Sequence, residues 1–157
     1  MRRREFIKLA GATLLCACAG GTGASGCASD ASSAPLAPEG SYRREGNRVI
    51  ISLAAVAELR AVEGAVRLAL DDEGLKILVV HLEDDVYRAF TNRCTHRGKE
   101  LNYLPERKTL QCLSRKAQFD REGNVIKGPA EGALAVYPSR QEGDELVIAV
   151  SRQKDLS

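Results

Sequence analysis

An all-β domain, a small antiparallel β-sandwich or barrel, is the fold this sequence predicts, and three observations carry the expectation. From Arg48 onward the apolar residues come in short segments rather than long helical stripes. Between them stand Asp71-Asp72-Glu73-Gly74, Glu83-Asp84-Asp85, Arg121-Glu122-Gly123-Asn124 and Gln141-Glu142-Gly143-Asp144, all rich in the residues that form tight reversals. Length sets the scale, because 157 residues suffice for one core and leave no room for a second.

Taken in order, the segments expected as strands are 49–53, 65–70, 75–82, 86–90, 109–112, 125–126, 134–137 and 146–150. One short helix is expected over 53–60, where Leu53, Val56, Ala57 and Arg60 recur at helical spacing and Gly64 ends the connection. No internal repeat is present.

The N-terminus has a different character. Arg3-Arg4-Glu5-Phe6-Ile7-Lys8 precedes an uncharged run of alanine, glycine and small residues from Leu9 to Ser29. This order of paired arginines, apolar run and small residues resembles a twin-arginine export signal. Gly11, Gly20, Gly21, Gly23 and Gly26 make the run a poor membrane helix, so cleavage is expected rather than a retained span. Ala17-Cys18-Ala19 suits an ordinary signal peptidase, while Ala24-Ser25-Gly26-Cys27 resembles a lipoprotein box that would place a lipid anchor on Cys27. The expected division is signal 1–27, flexible linker 28–47 rich in Ala, Ser and Pro, domain 48–151 and tail 152–157.

Loss of residues 1–27 removes four basic and one acidic side chain from 23 Lys+Arg and 21 Asp+Glu, leaving 19 against 20. No basic excess remains, which argues against nucleic acid as a partner. Of the five cysteines only Cys94 and Cys112 then remain in the domain, in a compartment that permits disulfides.

Chemistry concentrates in two stretches, Cys94-Thr95-His96-Arg97-Gly98 and Cys112-Leu113-Ser114-Arg115, with 15 residues between His96 and Cys112. Thiolates and imidazoles at such spacing can hold the two irons of an iron-sulfur centre from opposite sides. The match runs further. Lys76-Ile77-Leu78-Val79-Val80, Tyr87 to Asn92, Gln118-Phe119-Asp120, Gly123, Gly128-Pro129-Ala130 and Leu134-Ala135-Val136-Tyr137-Pro138 follow in order. Over residues 48 to 151 the chain resembles a Rieske [2Fe-2S] domain, a fold with two cluster-binding loops and a Gly-Pro lid, here expected at Gly128 to Ala130.

The resemblance implies Cys94, His96 and Cys112 as metal ligands and brings Arg115 to the position of the second ligand histidine. The family usually reads Cys-x-x-His-Gly-Ser where this chain has Cys112-Leu113-Ser114-Arg115-Lys116-Ala117. Lys99 and Ser114 stand where high-potential members carry an extra disulfide, and Ala117 lacks a hydroxyl that in some members hydrogen-bonds a cluster sulfide. A protonated guanidinium has no free lone pair. Several arrangements are therefore open: Arg115 as an unusual ligand, water or hydroxide beside its charge, His81 as a substitute, a Cys2His zinc site, or a clusterless fold with a Cys94–Cys112 disulfide. His81 lies in the 75–82 segment, where a strand-end histidine is the plainer reading.

The function expected from the resemblance is single-electron transfer by an exported protein in the periplasm or cell envelope. Its partner would be a redox protein, an oxidoreductase large subunit or quinol, with membrane attachment only through a lipid on Cys27. The competing expectation is a clusterless interaction domain or the small subunit of an oxidoreductase. Nothing in the chain resembles a paired-carboxylate, Ser-His-Asp or nucleotide-binding site, so catalysis by the chain alone is not expected.

Overall fold

The computed structural model describes residues 34–70 and 74–150. The expected signal over 1–27, the cysteines Cys16, Cys18 and Cys27, the first residues of the linker and the tail at 152–157 lie outside the described residues. Three four-stranded antiparallel sheets make up the described structure. The first has the order β1-β2-β12-β11, from Tyr42–Glu45, Arg48–Ser52, Glu145–Ala149 and Ser139–Glu142. The second is β10-β5-β4-β3, from Val136–Tyr137, Val86–Thr91, Leu75–Glu83 and Ala65–Leu70. The third is β6-β7-β8-β9, from Leu101–Leu104, Thr109–Cys112, Gln118–Phe119 and Val125–Lys127. That third sheet is one uninterrupted stretch of chain inserted between neighbouring strands β5 and β10 of the second, and it carries the site.

Burial explains the layering. Strand β4 reads Ile77-Leu78-Val79-Val80-His81-Leu82 without the polar alternation of a half-exposed strand, because both its faces are covered. Ile77 and Val79 enter one core with Val49, Ile51, Val66, Leu68, Leu146 and Ile148 of the flanking strands. Leu78, Val80 and Leu82 enter a second core with Phe90, Leu101, Tyr103, Leu110 and Phe119. Cys94 and Cys112 belong to this second core, so the sulfurs sit on a packed wall and not on a free loop.

Several expectations need correction. The helix over 53–60 shrinks to a 3-10 helix at Ala57–Arg60, since Val56 ahead of it is extended and supplies no side-chain cap. The N–H of Leu53 donates instead to the carbonyl of Asp144 at 2.9 Å. Residues 34–47, expected as flexible linker from composition, are packed. Ala34, Ala37 and Ser41 are buried, Ala37 N–H donates to the Arg67 carbonyl of β3, Arg67 N–H donates to the Pro35 carbonyl, and Tyr42–Glu45 is a strand. The physical reason is that small residues, although unable to build a core, fit closely against one that exists. Strands β1, β6, β8 and β11 lie outside the expected set, and the 134–137 segment contributes only Val136–Tyr137.

Candidate metal centre

The first loop joins β5 to β6 and closes on Cys94. Its N–H donates to the carbonyl of Lys99 at 2.7 Å, and its carbonyl accepts from Gly98 at 2.8 Å. Gly98 has φ of +65°, a conformation that costs other residues about 1 kcal/mol, so glycine belongs there. The second loop joins β7 to β8 and closes in the same way on Cys112, whose N–H donates to Ala117 at 2.9 Å and whose carbonyl accepts from Arg115 at 2.7 Å. The loops are tied together by Leu113 N–H donating to Glu100 carbonyl at 2.9 Å. Asn92, buried at the start of the first loop, holds the N–H of Leu101 through its side-chain oxygen at 2.7 Å.

This scaffold brings the two sulfurs together. Cys94 and Cys112 are both buried free thiols, and they lie within hydrogen-bonding reach of each other. Burial pushes the Cys94 thiol up, as does the neighbouring Cys112. Burial also opposes ionisation of Cys112, but the Ser114 hydroxyl, the Ser114 amide, the Cys94 thiol and the charge of Lys99 together bring it below the ordinary thiol value. Ser114 Oγ donates to Cys112 Sγ at 3.1 Å. The amides of His96 and Arg97 donate to the Cys94 sulfur. Each sulfur thus has donors that favour its thiolate, the form that binds metal.

His96 Nδ1 is sealed from solvent and has no hydrogen-bond partner. A buried nitrogen in that state costs free energy that a bound group would recover. Arg115, by contrast, is exposed, with φ of +59° at the close of the second loop. By the chemistry of their donors Cys94, Cys112 and His96 suit a two-iron group, whereas Arg115 has no lone pair to offer while it is protonated. Among the described residues no group of three His, Cys, Asp or Glu side chains is placed to hold a single ion, as a Cys2His zinc site would require.

His81 stands apart from this site. It lies five residues along β4 from Lys76, whose carbonyl holds Asn92 N–H at 2.8 Å, and so about 16 Å away along the strand. Its ring is stacked on Tyr87 at 4.4 Å between centroids, and its two nitrogens face the carbonyls of Ala61 and Asp84. It is a structural histidine that braces the far end of the sheet.

A third segment covers the loops. Thr95 Oγ1 donates to Gly132 carbonyl at 2.8 Å, fastening the first loop to the β9–β10 connection. Gly128 approaches the second loop so closely that a Cβ would stand 1.8 Å from the carbonyl oxygen of Lys116, which explains glycine there at φ of +95°. Of the expected lid at 128–130, Gly128 packs against the second loop and Ala130 is partly buried against the second core. The sequence marks Ser114 only as lacking a disulfide partner; a hydroxyl two residues after a candidate thiolate is the signal that could have found its hydrogen bond.

Comparison with known proteins agrees with this architecture. The family model of the Rieske [2Fe-2S] domain matches residues 50–138. The cytochrome b6-f complex iron-sulfur subunits 1 of Nostoc sp. and of Trichormus variabilis are each 29% identical over 62 residues, 40% of this chain. The matched segment spans 35% of the length of those curated relatives. The crystal structure of the plasma membrane Rieske protein PetC3 from the cyanobacterium Synechocystis has a TM-score of 0.52 at 25% identity, covering 60% of this chain and 93% of that one.

Proposed function

The chain belongs to the Rieske [2Fe-2S] domain family, and from that premise we propose that it is an exported single-electron carrier whose cluster has an altered fourth ligand. The observation that supports this reading most is the pair of buried, hydrogen-bonded thiols on two loops with an unpartnered His96 Nδ1 between them in sequence. Cys94 and Cys112 would hold one iron and His96 the other. A [2Fe-2S] centre supplies one-electron redox chemistry when bound. Arg115 serves either as an unusual ligand or as fixed charge beside water or hydroxide.

The protein's own residues set the conditions for that chemistry. The amides of His96, Arg97 and Ser114 and the Ser114 hydroxyl direct partial positive charge at the thiolates, favouring the more negative, reduced state. Arg115 adds charge of the same sign, while Ala117, without a hydroxyl, offers no side-chain donor. The segment from Gly128 to Gly132 braces the loops, through the close approach of Gly128 to the Lys116 carbonyl and the Thr95 hydroxyl bond to Gly132.

The relatives' names point to electron-transfer assemblies, and for this chain the corresponding partner is a redox protein, an oxidoreductase large subunit or quinol. The paired arginines support twin-arginine export to the periplasm or cell envelope, with Cys27 as the residue that would carry a lipid.

Iron and acid-labile sulfide analysis, with EPR of the dithionite-reduced protein produced anaerobically, tests the proposal. Two irons and two sulfides with a Rieske-like or shifted signal are expected, and Arg115→His should move the signal toward that of a four-ligand centre. Metal-free protein with Cys94 and Cys112 linked as a disulfide would overturn the reading and leave a Rieske fold that acts as an interaction domain.

A further inference from the structure

The two ligand loops carry a charge that the rest of the chain does not share. Residues 92–99 and 113–117 contain Arg93, Arg97, Lys99, Arg115 and Lys116, all exposed, and no carboxylate. The third-sheet residue Lys127, paired in register with Gln118 just beyond the second loop, adds another exposed cation. Glu100, the acid that follows the first loop, is already engaged by Arg67 and Lys76. The covering segment contributes one exposed carboxylate, Glu131. Residues 28–157 as a whole hold 19 Lys+Arg against 20 Asp+Glu, so this basic end is compensated elsewhere on the molecule.

An apolar point stands within the basic surface. Leu113 is 47% exposed although it sits between buried Cys112 and half-buried Ser114. Its N–H bond to the Glu100 carbonyl places it at the seam of the loops, with Lys99 adjacent in one and Arg115 and Lys116 following in the other. A single exposed leucine amid cations is a small apolar contact with a charged rim. It offers too little apolar area to insert into lipid by itself, whereas a protein surface can match both the leucine and the rim.

We propose that the ligand-loop end is a docking surface for an acidic redox protein, steered by Arg97, Lys99, Arg115 and Lys116 and centred on Leu113. This rests on the reading that electrons cross at this end, and it adds the charge sign of the partner. Complementary charge raises the encounter rate and orients the partner toward the loops, an effect that salt screens over about 8 Å at physiological ionic strength.

The test compares binding of two soluble cytochromes, one acidic and one basic, by calorimetry on metal-loaded and metal-free protein. The acidic cytochrome should bind, and raising ionic strength from about 0.01 to 0.15 M should weaken it severalfold. Lys99→Glu combined with Lys116→Glu should weaken it by about tenfold, whereas Arg48→Glu, on the sheet across from the loops, should leave it unchanged. Equal loss with Arg48→Glu, indifference to salt or preference for the basic cytochrome would overturn the proposal. So would binding to phosphatidylglycerol-containing vesicles in place of the acidic cytochrome, which would assign the cations to a membrane surface. Iron content is measured separately, so absence of a cluster and absence of docking are distinct results.

Discussion

In the first ligand loop Cys94 closes the turn through Lys99 and Gly98, and the residue with positive φ is a glycine. In the second, Cys112 closes the turn through Ala117 and Arg115, and the residue with positive φ is Arg115 itself. The backbones follow one plan, but one loop retains its histidine with a buried, unpartnered nitrogen while the other presents an exposed guanidinium. The difference teaches that loop shape does not depend on the ligand. Hydrogen bonds from the cysteine backbone hold each loop, so a ligand side chain can change with the frame preserved.

The largest expected effect is on the shared element. Cys112→Ser should abolish iron and sulfide incorporation, as should Cys94→Ser, because each removes one of two thiolates assigned to the same iron. Normal loading of either variant would break the assignment.

Gly128→Ala comes next. It places a methyl group against the Lys116 carbonyl, at a φ unfavourable to alanine, and should cost about 3 kcal/mol in chemical denaturation. Gly98→Ala has the φ penalty without a clash, since a methyl group there would meet no neighbouring atom within 4 Å, and should cost about 1 kcal/mol. A similar cost for both would show that the covering segment moves away freely from the second loop.

Ser114→Ala removes the hydroxyl donor on the Cys112 sulfur. A hydrogen bond of about 1 kcal/mol favouring the reduced state corresponds to about 40 mV for one electron, so the potential in voltammetry should fall by that amount. An unchanged potential would mean that the backbone donors alone tune this sulfur.

The smallest effect belongs to Glu100, which accepts from Leu113 through its carbonyl and meets Lys76 and Arg67 through its carboxylate. The Lys76 hydrogen bond, with Arg67, holds its carboxyl below the ordinary value against the effect of burial. A lowered folded value stabilises the protein above the unfolded carboxylate value of about 4.3, and the contribution fades as pH falls through the folded one. Glu100→Gln should cost about 0.5 kcal/mol at pH 7, after allowance for its partial exposure, and the difference from the parent should shrink below about pH 4.

Much of the frame is legible in the sequence because turns and buried segments are local signals. Segments 65–70 and 109–112 emerge as Ala65–Leu70 and Thr109–Cys112 with the boundaries expected. Strand β11, Ser139–Glu142, is invisible there because an edge strand can be polar throughout; its pairing with Glu145–Ala149 makes it a strand. Strand β1, Tyr42–Glu45, lies at the other edge of that sheet and escapes notice for the same reason. The helix over 53–60 fails because its apolar spacing serves burial of Leu53, Val56 and Leu59 in an irregular chain as well as it would serve a helix.

By itself the sequence determined the all-β class, the two cysteine loops, the departure at Arg115 and the glycine at the covering segment, since each is set by residue type and short-range spacing. Only the tertiary structure decided that Cys94 and Cys112 adjoin in the second core, that His96 Nδ1 is sealed without a partner, that His81 serves the far end of β4 and that Leu113 is left exposed at the seam of the two loops. Those outcomes depend on which distant segments meet, and the packing of three sheets on one doubly buried strand sets that arrangement.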